Sequence, residues 1–197
     1  MSYGFSMKVD PAQLKDLTDK LDGLYYKAPT VMKNAANATG KAAVKMLEED
    51  WEQRYAYERS DTLKDYLNIK SATYANPRYV ISAKTNMEEI INFDVTDRSP
   101  ERWFGYSVQS VGHVRRDTAR EPLVNEFGNK AFVTQFKNGH VSVVARVGEG
   151  RKVKSFSSPS FSHMAARSYE EIEPAVQEML RANTEKQIRK VMDRANG

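Results

Sequence analysis

Cysteine is absent from the 197 residues, so disulfides, thiolate nucleophiles and cysteine-based metal sites are excluded together. No apolar run approaches the roughly 20 residues that a membrane span needs. The opening MSYGFSMKVD lacks the basic head, apolar middle and small-residue cleavage site of a secretory leader, and the expectation is a protein assembled in the cytoplasm. The three histidines, His113, His140 and His163, are isolated from one another. GEGRK at 148–152 has glycines beside basic residues but not the spacing of a phosphate loop. His163 in SFSHMA has no glycine-flanked serine at a strand-to-helix turn. Glu48, Glu49, Asp50 and Glu52 crowd one expected helix, where adjacent side chains diverge. No catalytic, cofactor-binding or metal site is expected, and the chain reads as a non-enzyme.

What is present is an ordinary globular composition, 40% hydrophobic and 28% charged, with a formal net charge of +4. The charge is unevenly placed. Between Gly112 and Lys154 stand nine basic residues, Arg115, Arg116, Arg120, Lys130, Lys137, Arg146, Arg151, Lys152 and Lys154. Four acidic residues oppose them, so this block is +5 and the remainder −1. Such a block is a solvated face, a protein-docking surface or a phosphate-binding surface. Aromatic residues interleave with basic residues in the sheet half, including Tyr74, Tyr79, Trp103, Phe127, Phe132 and Phe136, a mixture suited to stacking or to protein contact.

Phe5 to Val9 reads as an edge strand or arm. Asp10 and Pro11 then open a helix carrying Leu14, Leu17, Leu21 and Leu24. A second helix is expected from Pro29 to about Tyr55, with the small-residue stripe Val31, Ala35, Ala38, Ala42 and Ala43 ahead of Met46, Leu47 and Trp51. Such a stripe lets the helix lie flat against a sheet or another helix, while Gly40 costs about 1 kcal/mol relative to Ala within it. Ser60 caps a short helical piece. The period then changes to two, with strands expected over 69–75, 78–84 and 88–95. Residues 96–130 read as a long loop, a hairpin follows, and a last strand lies near Val153–Phe156. SSPSFSH is expected as a linker, and a final helix begins at Pro174. Helices, then strands, then helix predict an α+β fold: a mainly antiparallel sheet with the alanine-rich helix packed on it, and a C-terminal helix. The expected organisation is a single domain over 1–197. It divides into an arm at 1–10, a helical part at 11–68, a sheet at 69–158 and a linker with helix at 159–197.

The hairpin AFVTQFKNGHVSVVARV (131–147) turns at Asn138-Gly139, a strong short-range hairpin signal. A two-residue loop would set Phe136 opposite Val141 and Thr134 opposite Val143. Phe132, Phe136, Val141 and Val143 would then share the core face. Lys137, His140 and Arg146 would look outward.

Two stretches, IKSATYANPRYVISAKT (69–85) and AFVTQFKNGHVSVVARVGEGRKVKSFSSPSFS (131–162), together resemble the minor tail protein Z family of long-tailed phages and prophages. NAANATGKAAVKM (34–46) and the charged terminal helix agree with it in order. The resemblance implies a structural virion protein at the head-proximal end of the tail, completing the tail and enabling head–tail joining as a homo-oligomeric ring. Its implied partners are tail-terminator, tail-tube or neck and connector proteins, with DNA passing through the lumen. The alternative is a basic nucleic-acid-binding module contacting that DNA. For either role the candidate interface or DNA-facing residues are Arg115, Arg116, Lys137, His140, Arg146, Arg151, Lys152 and Lys154.

Overall fold

The computed structural model describes residues 4–7, 19, 24–59, 63–96, 102–103, 106–148 and 152–196. Of the helix expected from Pro11, Leu14, Leu17 and Leu21 lie outside the described residues, and Asp19 is helical. The fold is α+β, with every strand pair antiparallel. The chain forms two compact units. The first comprises Met1–Asp50, Leu63–Thr85 and Ser162–Gly197, and the second Trp51–Thr62 and Asn86–Phe161.

In the first unit, β1 (Gly4–Met7) and β2 (Leu67–Lys70) flank β3 (Tyr79–Ala83). Tyr79, Ile81 and Ala83 are buried on one face of β3, the alternation that a half-covered strand requires. Helix α1 (Ala28–Arg54) carries its first 23 residues in this unit and buries Val31, Ala35, Ala36, Thr39, Ala43 and Leu47. Ala38, expected on the buried stripe, is exposed, and Ala36 takes that place. Gly40 does not break the rod. A Cβ built there would stand 2.3 Å from the Tyr79 ring, so glycine is what admits the tyrosine against the helix. Asn37 then pins the segment after β2: its amide donates to Ala72 C=O (3.0 Å) and its carbonyl accepts from Ala72 N–H (2.8 Å).

Helix α2 runs from Phe161 to Asn196, so the chain is helical well before the expected start at Pro174, and the stretch expected as a turn or linker is instead a strand, Ser157–Ser160, that runs directly into the helix. The reason lies in the spacing. Phe161, Met164, Ala165, Ser168, Ile172, Val176 and Leu180 are buried at three- and four-residue intervals straight through the proline. Pro174 sits on the exposed side, where its missing N–H leaves the Glu170 carbonyl to solvent. Near its end α2 meets the start of α1, with Ile188 packed among Ala28, Val31 and Met32. Asn183 donates to Thr39 Oγ1 at 2.9 Å. No helix of the described residues is long and apolar enough to cross a membrane.

The second unit is built from short strands: β4 (Met87–Glu89), β5 (Asp94–Val95), β6 (Arg102–Trp103), β7 (Tyr106–Ser107), β8 (Val111–His113), β9 (Glu121–Pro122), β10 (Ala131–Gln135), β11 (Val141–Arg146), β12 (Val153–Ser155) and β13 (Ser157–Ser160). The stretch expected as one long loop over 96–130 therefore carries four of them. They are two or three residues each, too short for periodicity to announce. Single bridges join the pieces. Ala56 donates to Val114 C=O (2.9 Å) and accepts from Asp94 N–H (2.8 Å). Ser110 donates to Ala131 C=O, Phe156 to Val143 C=O and Ile90 to Phe156 C=O. The core has two centres. One is aromatic: Trp51, Tyr57, Phe93 and Phe161, with Tyr57 edge-on to Phe93 and Phe161 at ring separations of 5.3 and 5.7 Å. The other is aliphatic: Ile90, Val95, Ala131, Val133, Val143 and Ala145.

Candidate functional site: the β10–β12 surface

The hairpin differs from expectation by one residue of register, and the difference moves the candidate site. Val133 pairs with Val143 and Gln135 with Val141. The loop has three residues, Lys137–Gly139, closed by Phe136 N–H to His140 C=O (2.7 Å) and Gly139 N–H to Phe136 C=O (2.9 Å). Gly139 lies at φ +83°, the left-handed residue that follows a tight turn in three-residue hairpins. Ala131, Val133, Val143 and Ala145 therefore form the core face, while Phe132, Thr134 and Phe136 point the other way. Phe136 is 37% exposed and stacks on His140, with ring centroids 6.0 Å apart. The expectation that Phe132 and Phe136 share the core face with Val143 is corrected: four small aliphatic residues seat there, and the register follows them. Nor is the second face wholly free, since Ser142 and Val144 on it are fully buried.

The basic candidates divide by what they already hold. Arg115 forms a two-point ion pair with Asp117 on the same turn. Arg116 donates from Nε to Glu52 C=O at 2.9 Å, and its N–H donates to Arg54 C=O. It thereby closes carbonyls in the last turn of α1, where a cation also suits the helix dipole. His140 Nε2 lies 3.0 Å from the Glu89 carboxylate. Lys137 is exposed at the hairpin tip, and Arg146, Lys152 and Lys154 are exposed on β11, β12 and the turn joining them. Arg151 lies outside the described residues. The block that the sequence presents as one basic segment is thus spread over three places. Of the interleaved aromatics, Tyr79 is buried under α1 and Tyr74 stands in the first unit beneath Lys33 Nζ, 3.9 Å from its ring centre. Phe127, Phe132 and Phe136 lie in the second unit.

Beside the β8–β9 connection sits a dense titratable cluster among the described residues outside the hairpin. Arg120 grips Asp94 through Nε and Nη2 at 2.7–2.9 Å. His113 reaches Asp94 Oδ2 through Nε2 (3.0 Å) and Thr118 C=O through Nδ1 (2.6 Å). The Arg120 hydrogen bonds hold the Asp94 carboxyl below its ordinary value against the opposing effect of burial, and His113 acts in the same direction as Arg120. Every member has a partner, and the cluster ties the 114–120 turn to β5. It is a staple, with no open coordination or nucleophile. Among the described residues no group of three or more His, Asp or Glu is placed to hold a metal ion.

Sequence reasoning missed a different feature. Met87, Val124 and Phe127 are 65%, 51% and 59% exposed and line one groove of about 440 Å³ with Val147, Lys154 and Phe156. Phe127 is held out by its own turn. Asn125 Oδ1 accepts from the N–H groups of Phe127 and Asn129, and the side-chain amides of Asn125 and Asn129 both donate to Arg146 C=O. Gly128, at φ +75°, completes it. The signal was legible as NEFGN, two asparagines bracketing Phe-Gly. Comparison of the chain with protein-family models, with curated proteins and with solved structures finds no match.

Proposed function

We propose that the chain is a structural protein of a tailed-phage virion, a minor tail or tail-completion protein at the head-proximal end of the tail, which forms a ring and enables head–tail joining. The observation that carries this reading is the groove of Met87, Val124 and Phe127. Three large apolar side chains exposed together around one groove are a surface that water disfavours and a second protein covers. The order of elements and the resemblance of 69–85 and 131–162 to the minor tail protein Z family supply the particular assembly. A ring needs two different surfaces on each copy, joined head to tail.

The nucleic-acid alternative draws less support. Phosphate binding calls for several free cations along one track, and Arg115, Arg116 and His140 are already engaged within the chain. The experiment is a clean deletion in the phage genome. Heads and tails should both form and join poorly, and normal infectious particles would refute the reading. Reversing Lys137 and Arg146 together to Glu should leave melting nearly unchanged and lower particle yield.

A further inference from the structure

One strand edge beside the groove is uncovered. Residues of an antiparallel strand direct their backbone groups alternately toward and away from a given neighbour. In and around β12 the phase is fixed by Val147 N–H to Lys152 C=O and Phe156 N–H to Val143 C=O, each 2.9 Å. Lys154 therefore faces β11, in register with Ala145, while Val153 and Ser155 turn their N–H and C=O groups outward. No described residue bonds to them there. At Phe156 the cover resumes, because its carbonyl accepts from Ile90 N–H at 3.1 Å, and β13 beyond it is paired with β4.

The edge and the groove are lined by the same stretch of chain, 154–157. Exposed lysines surround them: Lys154 in the lining, Lys152 where the turn enters β12, and Lys130 bridged to Val124. None of the three forms an ion pair among the described residues, and Glu126 is the one acid in the lining. Lysines on an open edge discourage pairing with an identical edge of another copy. They favour a strand of opposite charge, which they also steer into place. Phe127 is already fixed by the Asn125 and Asn129 bonds, so seating a side chain against it orders little further.

We propose that the β12 edge and its groove receive an extended acidic segment of a different protein as an added strand. Its backbone pairs with Val153 and Ser155, and one apolar side chain sits among Met87, Val124 and Phe127. This does not rest on the virion reading and is tested on the isolated full-length chain. The probe is a blocked peptide alternating Glu and Val, with a Lys-Val peptide as its counterpart, followed by amide hydrogen exchange. At about ten times its dissociation constant the acidic peptide should slow exchange at the Val153 and Ser155 amides about tenfold, leaving Lys154 unchanged. Phe127→Ala, a surface change that leaves the fold intact, should weaken binding about tenfold. Reversing Lys152 and Lys154 to Glu should transfer the preference to the Lys-Val peptide. Unaltered exchange at Val153 and Ser155 would overturn the proposal. So would equal protection by both peptides, or protection that appears with chain concentration alone.

Discussion

Replacing Gly40 with alanine tests the packing of α1 on β3, because two effects of known sign compete there. Alanine is favoured over glycine in a helix interior by about 1 kcal/mol. Against this, the new methyl would lie 2.3 Å from Cγ and Cδ1 of the Tyr79 ring and 2.6 Å from Cδ2, where carbon atoms settle at about 3.5–4.0 Å. Tyr79 is 4% exposed, so the ring cannot swing into water, and helix and strand must part by about 1 Å. Overpacking of this kind costs about 1–3 kcal/mol, and more when the backbone must move. The upper end applies here, giving a net loss of about 1–2 kcal/mol after the propensity gain. Urea unfolding followed by far-ultraviolet circular dichroism reads it as a lower midpoint at unchanged slope. The sign should reverse once the ring is gone. In a Tyr79→Ala background the same Gly40→Ala change should stabilise by about 0.5–1 kcal/mol, a coupling that a double-mutant cycle isolates. A Gly40→Ala chain as stable as the parent would show that the helix does not bear on Tyr79.

Phe136→Ala should cost less than about 1 kcal/mol in urea, whereas Phe161→Ala, at 0% exposure, should cost about 3–5 kcal/mol. Equal losses would restore the two-residue register. Gly139→Ala should destabilise the hairpin by about 1–2 kcal/mol, because φ +83° is strained for any side chain; NMR shifts of 131–146 would show it. Asp94 is depressed below its ordinary 3.8, so the folded state binds fewer protons than the unfolded chain between the two values. Its contribution is complete above about pH 4 and is lost as the pH falls through the folded value. Asp94→Asn should flatten that acid limb of the stability profile, and an unchanged limb would discount the Arg120 contact.

Long amphipathic segments were legible in the sequence. The alanine-rich helix and the strand around residue 80 stand close to where hydrophobic spacing puts them, because each buries one face; the last strand also begins at the expected Val153, whereas the strand expected over 69–75 ends at Lys70. The register of the β10–β11 hairpin was not legible. Asn138-Gly139 is compatible with both a two- and a three-residue loop, and the run Val141–Ala145 offers an apolar residue on either face. The choice falls to Ala131 and Val133, whose fit in the aliphatic centre no local pattern announces. Pro174 misled for a related reason: a proline reads as a boundary locally, and burial on both sides of it overrides that reading. The candidate site suffered most. Charge counted along the chain cannot show that Arg116 closes a helix or that Arg115 meets Asp117, and the exposed trio of Met87, Val124 and Phe127 comes from segments 37 and more residues apart.

The aromatic centre of the second unit also makes a built-in optical gauge. The indole of Trp51 is 3% exposed, and its Nε1–H has no hydrogen-bond acceptor among the described residues. An excited indole relaxes by reorienting polar neighbours, and here it has few, so its emission should lie toward the blue and shift red when water first reaches Tyr57 and Phe93. With Trp103 replaced by Phe, one tryptophan would remain. Its colour would report the opening of this core separately from the helical signal of the first unit.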